Sequence, residues 1–143
     1  MTREWVVDAS VGIKLFVPEE LSEKAEQVFS QLEDVPPVRL YVPDLFYIEC
    51  TNILWKYVRR FGYQAEKAQE SIAKLSALAL HPIASSQLVS SALDLALARE
   101  ITAYDACYAT LARWLGISLL SADEKLIRKL KGSEVPVRWL GDL

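Results

Sequence analysis

From end to end this chain alternates short apolar runs with longer stretches of helical periodicity, the pattern of an α/β domain built on a mainly parallel sheet. Trp5-Val6-Val7 reads as a buried first strand ending at Asp8, and Ser10 as the cap of a short helix that Pro18 stops. Leu21, Ala25, Val28, Phe29 and Leu32 recur at helical spacing, which predicts a helix over 20–32. A loop at Pro36-Pro37 leads to a strand over 39–42, then to a helix from Asp44 to Phe61 closed by Gly62. An amphipathic helix over 64–78, a short strand over 80–83 despite Pro82, and helices over 85–98 and 102–116 follow. Ile117 to Leu120 is a continuous apolar strand, followed by a helix over 122–130 and a terminal strand over 135–139. No repeat, linker or low-complexity tract interrupts the 143 residues. Residues 1–143 are therefore expected to form one domain with its own core.

Composition narrows the function classes. Sixteen Lys and Arg against nineteen Asp and Glu leave a net charge of -3, so a polyanion must be met by a local patch rather than by the whole molecule. A hydrophobic content of 52% with only five Gly excludes a disordered chain. Two cysteines (Cys50, Cys107) and one histidine cannot furnish the common structural zinc sites, nor an acid-base mechanism that needs two imidazoles. His81, before Pro82 in an apolar stretch, reads as structural. The apolar run after Met1 is too short for a secretory signal and no segment reaches membrane-spanning length, so with free thiols the expected location is the reducing cytoplasm.

Four acids stand apart from the rest. Glu19, Glu20, Glu23 and Glu26 sit where carboxylates complement a helix dipole. Glu49 has Leu45, Phe46, Asn52 and Ile53 as its helical neighbours, none cationic, so its partner must come from elsewhere in the chain. Asp8 ends a buried strand, and the carboxyl ends of strands are where ligands bind in open parallel sheets. Asp123 follows another apolar strand; Ser121 and Glu124 fit a capping box, which leaves Asp123 with no capping role. Asp105 is ambiguous, because Thr102-Ala-Tyr-Asp105 is itself a capping-box pattern. Singly, each has a structural explanation. Together, gathered at one edge of a sheet, they would repel one another or demand a cation. Mg²⁺ or Mn²⁺ prefers such oxygen ligands, and metal-assisted phosphodiester hydrolysis is the chemistry that follows.

These segments resemble the PIN-domain nucleases, especially the VapC-type toxins of toxin-antitoxin pairs, over nearly the whole chain. Val6-Val7-Asp8-Ala9-Ser10 is similar to that family's first strand and acid, and Pro43-Asp44-Leu-Phe-Tyr-Ile-Glu49-Cys-Thr-Asn52 to its second acid-bearing helix. Thr102-Ala-Tyr-Asp105-Ala-Cys-Tyr-Ala-Thr-Leu-Ala resembles the third motif and Leu119-Leu120-Ser121-Ala-Asp123 the fourth, with Ser121 where Thr is common. The resemblance implies a PIN-like fold and an acidic quartet of Asp8, Glu49, Asp105 and Asp123 that holds Mg²⁺ or Mn²⁺, with Ser10, Asn52 and Ser121 as supporting polar groups. It also implies an RNA substrate, products with a 5'-phosphate and 3'-hydroxyl, a homodimer and a cognate antitoxin.

For contact with RNA the sequence offers Lys56, Lys125 and Arg128. Arg59, Arg60, Lys129 and Lys131 are better explained as cations near helix C-termini. Trp55, Tyr57, Phe61, Tyr104, Tyr108 and Trp114 read as packing before base stacking. Two rival readings share the acidic pocket: a receiver-like domain that accepts a phosphoryl group, and a binding module without turnover. The first fits poorly, because Asp8 is followed by Ala9 and the third strand ends near Ile83 with no acid after it.

Overall fold

The computed structural model describes residues 3–143. Five parallel strands form one sheet: β1 (Glu4–Val7), β2 (Arg39–Pro43), β3 (His81–Ile83), β4 (Ser118–Ser121) and β5 (Val137–Trp139), in the order β3-β2-β1-β4-β5. Val6, Val7, Leu40, Val42, Leu119 and Leu120 are all fully buried. Neighbours in sequence such as Val6 and Val7 point to opposite faces, so both faces of the central strands are covered, which is why these strands read as continuous apolar runs. β3 pairs only with β2, and at that edge Pro82 costs no ladder bond on its free side. His81 stacks on Tyr41 of β2 with ring centroids 5.0 Å apart.

Among the described residues seven α-helices connect the strands: α1 (Ala9–Gly12), α2 (Ser22–Ser30), α3 (Leu45–Phe61), α4 (Ala65–Ala77), α5 (Val89–Arg99), α6 (Ala103–Leu115) and α7 (Glu124–Leu130). α6 packs against β1, β2 and β4, and α5 packs on α6. Of the thirteen residues of α6, the seven from Ala106 to Ala112 form one continuous buried run. α6 ends at Gly116, whose left-handed φ of 69° turns the chain into β4. α4 packs along α3, and α7 against β4 and β5.

Three local expectations are corrected. The first helix is capped by Asp8, whose carboxylate accepts the Val11 N–H, rather than by Ser10, and it passes into a 3-10 turn at Ile13–Leu15. The second helix starts at Ser22, two residues later than predicted, because Leu21 adopts a left-handed φ of 69°. Neither Ser85 nor Ser86 caps α5. The Ser85 hydroxyl instead donates to the Asp44 carboxylate and accepts the Leu45 N–H, tying the start of α3 to the loop after β3.

The strand order changes direction beside β1. The chain proceeds from β1 outward through β2 to β3, then returns to place β4 on the other side of β1. The carboxyl ends of β1 and β4 thus border the crevice where such sheets bind ligands. Among the described residues no helix is long and apolar enough to cross a membrane.

Candidate active site

At that crevice Asp8 follows β1 and Ser121 closes β4. The Ser121 hydroxyl donates to Asp8 Oδ2 at 2.5 Å, and the Ser10 hydroxyl donates to Oδ1 at the same distance. Oδ1 also accepts the Val11 N–H at 3.3 Å. The two serines continue the network outward. Ser10 Oγ accepts the Ala122 N–H at 3.0 Å, and Ser121 Oγ accepts the Asp123 N–H at 3.1 Å. Asp8 is only 4% exposed. Burial pushes its carboxyl up to about 6, the charge of Asp105 adds to that, and the serine and Val11 hydrogen bonds oppose it.

Glu49 lies on α3, half-buried, with Oε1 enclosed and lacking a hydrogen bond. Facing it is the hydroxyl of Tyr108 on α6, which is also buried and also without a well-formed hydrogen bond. Burial raises the Glu49 carboxyl; Tyr108 lowers it and the charge of Asp105 raises it further. Asp105 itself is raised by burial and by Asp123, against the pull of Thr102 and of the Lys129 ammonium. The charge of Asp105 thus acts on Asp8 and on Glu49, and that of Asp123 acts on Asp105.

The capping explanations are decided by the same geometry. Thr102 does cap α6, accepting the Asp105 N–H at 3.1 Å. Among the described residues the reciprocal bond from the Thr102 N–H to the Asp105 carboxylate is missing, so that side chain is available to the cluster. At α7 the expectation fails. Ser121 belongs to β4 and spends its hydroxyl on Asp8, and Asp123 is the N-cap, accepting the Leu126 N–H at 3.2 Å.

A PIN domain family model matches residues 5–132. The chain belongs to the PIN domain family. Ribonuclease VapC3 of Pyrobaculum aerophilum is 37% identical over 135 residues, covering 92% of this chain and 98% of the relative. A Pyrobaculum aerophilum protein of known crystal structure superimposes with a TM-score of 0.69 at 25% identity, covering 99% of this chain and 94% of its own. VapC20 of Mycobacterium tuberculosis, described as a sarcin-ricin loop cleaving toxin, shares the fold at 16% identity with a TM-score of 0.68, covering 92% of this chain and 98% of its own.

Within this PIN domain the remaining candidates separate by position. Asn52 and Lys56 lie exposed on α3, one and two turns beyond Glu49. Lys125 lines a polar cleft of about 230 Å³ together with Asp105 and Asp123. Arg128 faces elsewhere: it lines a separate groove with Lys131, Arg138 and Trp139, and pairs with Glu124 at 3.9 Å. Two residues that sequence reasoning set aside do reach the cluster, Tyr108 and Lys129. The signal for Lys129 was its four-residue spacing from Lys125, and for Tyr108 its place one turn after Asp105.

The donor set suits a hard dication. All its ligand atoms are oxygens, three of its carboxyls are destabilised in the charged form, and an enclosed Glu49 oxygen lacks a partner. Among the described residues no three acid, histidine or cysteine side chains draw close enough to hold an ion by direct contact alone. Mg²⁺ keeps several of its waters and is commonly bound through one or two carboxylates, so these acids would hold it partly through water.

Proposed function

We propose that this chain is a metal-dependent endoribonuclease, one PIN-like domain over residues 1–143, acting as the toxin of a toxin-antitoxin pair. The observation that carries the reading is that Asp105 and Asp123 line one polar cleft, that Ser121 ties the start of α7 to the buried Asp8, and that an enclosed Glu49 oxygen has no partner, with the Asp8, Glu49 and Asp105 carboxyls all pushed toward the protonated form. The 37% identity to a ribonuclease supports RNA as the substrate.

Asp8, Glu49, Asp105 and Asp123 would hold Mg²⁺ or Mn²⁺, with Ser10, Ser121 and Asn52 in support. A bound dication supplies Lewis acidity for the attacking water and charge neutralisation for the scissile phosphate. The protein's own contribution is order. Ser10 and Ser121 fix both oxygens of Asp8, so its carboxylate cannot rotate away, and Tyr108 confines Glu49 from the far side. A carboxylate of the cluster would take the proton of the attacking water as a general base. Attack by water leaves the ribose 2'-hydroxyl uninvolved and yields a 5'-phosphate and a 3'-hydroxyl.

A toxin of this kind works in the cytoplasm, as a homodimer, until an antitoxin covers the site. Solved structures that share the fold include VapBC2 of Rickettsia felis, at 12% identity and a TM-score of 0.69, and two free buried cysteines suit a reducing compartment. An apolar groove between α3 and α4, lined by Leu54, Trp55, Val58, Ala68 and Ile72, offers a protein partner a surface.

Incubation of the purified chain with mixed single-stranded RNA and Mg²⁺ or Mn²⁺ tests the reading. Cleavage is expected with metal, absent with chelator, and reduced at least a hundredfold in Asp8→Asn, the scale of losing one well-placed electrostatic group. Equal cutting by wild type and Asp8→Asn would mean a contaminating nuclease. Metal binding without turnover would favour the binding-module alternative.

A further inference from the structure

α7 presents its charges on two faces. Leu126, Ile127 and Leu130 are buried. Glu124 and Arg128 pair with each other at 3.9 Å beside β5. Lys125 and Lys129, four residues apart and so on one side of the helix, line the polar cleft that also holds Asp105 and Asp123. The cleft floor is formed by the junction of α5 and α6, where Glu100 turns the chain with a left-handed φ of 56°.

Lys129 is fixed in place there. Its Nζ donates to the Glu100 carbonyl at 2.7 Å, at the edge of the cleft that holds Asp105. An ammonium has three donors, so two remain for a ligand in the cleft. Among the described residues Lys125 has no hydrogen bond or ion pair, although Glu124 is its neighbour in sequence. Two carboxylates alone would repel an incoming phosphate. Two lysines beside them, one held rigidly and one free, make this side of the cluster able to receive one.

We propose that Lys125 and Lys129 form a subsite for a backbone phosphate of the RNA strand next to the bond being cut, with Lys129 as the fixed wall and Lys125 as the mobile clamp. This rests on the nuclease reading and deepens it, because it assigns the direction in which the strand leaves the acidic cluster: over α7 toward the α5–α6 junction, not across the Arg128 groove.

The test compares Lys125→Gln, Lys129→Gln, Lys129→Arg and Arg128→Gln in cleavage of a fluorescein-labelled single-stranded oligoribonucleotide with Mn²⁺, over a series of salt concentrations. Binding of the same probe is measured in an Asp8→Asn background, where the strand stays intact. Each Lys→Gln change is expected to weaken binding about fivefold at 0.1 M salt and to reduce the salt slope by about 0.7, the value for one phosphate contact on a single strand. KM rises accordingly while kcat stays within about twofold. Lys129→Arg keeps the wild-type slope, and Arg128→Gln, with the same change of charge on the other face, keeps it too. A wild-type slope in both Lys→Gln variants overturns the subsite while leaving the nuclease reading intact. A wild-type chain that cuts no RNA overturns both. Lys125 is exposed and unpaired, so its variant reports on binding without disturbing the fold.

Discussion

Two serines 111 residues apart hold one carboxylate, and how much charge that carboxylate can bear decides the pH response of the fold. Asp8 has a pKa of about 6 in the folded chain against an ordinary 3.8, so the native state binds its proton more tightly than the unfolded chain does. Its stabilising contribution is complete below 3.8 and is lost as pH rises through 6. The shift corresponds to a loss on the order of 3 kcal/mol. Glu49 and Asp105 are raised as well and act in the same direction. In chelator, Asp8→Asn lacks the share due to Asp8, so its stability relative to wild type is expected to improve steadily between about pH 4 and pH 7. Urea midpoints of the two chains across that range check this, and a constant difference would show that Asp8 is not buried in its charged form. At this scale the sequence was most informative for residues whose role follows from chain position. Asp8 was legible because it ends a buried strand, and Glu49 because no helical neighbour answers its charge. Asp123 was misjudged as free of capping because the competing cap, Ser121, is claimed by Asp8, a partner 113 positions away that no local pattern reveals. Tyr108 and Lys129 were passed over for the same reason: which side of α6 or α7 turns toward the cluster is set by packing across the sheet.

Among the elements, the decisive contact is between α1 and α3. A Cβ built on Gly12 would lie 2.6 Å from Cζ of Phe46 and 3.4 Å from Sγ of Cys50, so α1 crosses α3 at a distance only glycine allows. Phe46 is fully buried and cannot swing away cheaply. It also precedes Glu49 by one turn on α3, while α1 follows directly from Asp8, so this crossing sets the distance between two of the four acids. Gly12→Ala is expected to cost about 1–3 kcal/mol through overpacking. It should lower cleavage beyond what the lost stability explains, because Glu49 is displaced from Asp8. The urea midpoint and the cleavage rate at a temperature where both chains are fully folded separate the two effects; an unchanged rate would show that the spacing of the acids tolerates this shift. The existence and order of the elements followed from periodicity, and α3 and α6 also had their closing glycines in view. The start of α2 was not predictable from spacing, since Leu21 bends the chain into a left-handed conformation that its side chain does not favour. The fold gains a turn there that the local sequence alone opposes.

For the molecule as a whole, the proposed acidic cluster takes its carboxylates from distant parts of the chain: from the residue that follows β1, from α3, from α6 and from the start of α7. Without a cation these charges repel one another, and a bound dication would draw the four segments together. A dication that binds the native state and has little affinity for the separated acids of the unfolded chain stabilises folding by mass action, about 2.7 kcal/mol at a hundredfold excess over its dissociation constant. Thermal melts in Mg²⁺ or Mn²⁺ are therefore expected to rise with metal concentration, whereas Ca²⁺ at matched ionic strength separates a fit to the smaller ions from general screening. Asp105 is the acid through which the others interact, so Asp105→Asn should behave in two ways at once. In chelator it melts at or above the wild-type temperature, because repulsion with Asp8, Glu49 and Asp123 is relieved. With metal added it gains little, because the centre of the donor set is gone. A variant that is less stable in chelator yet gains as much from metal as wild type would place Asp105 in a capping role alone, and the dication elsewhere.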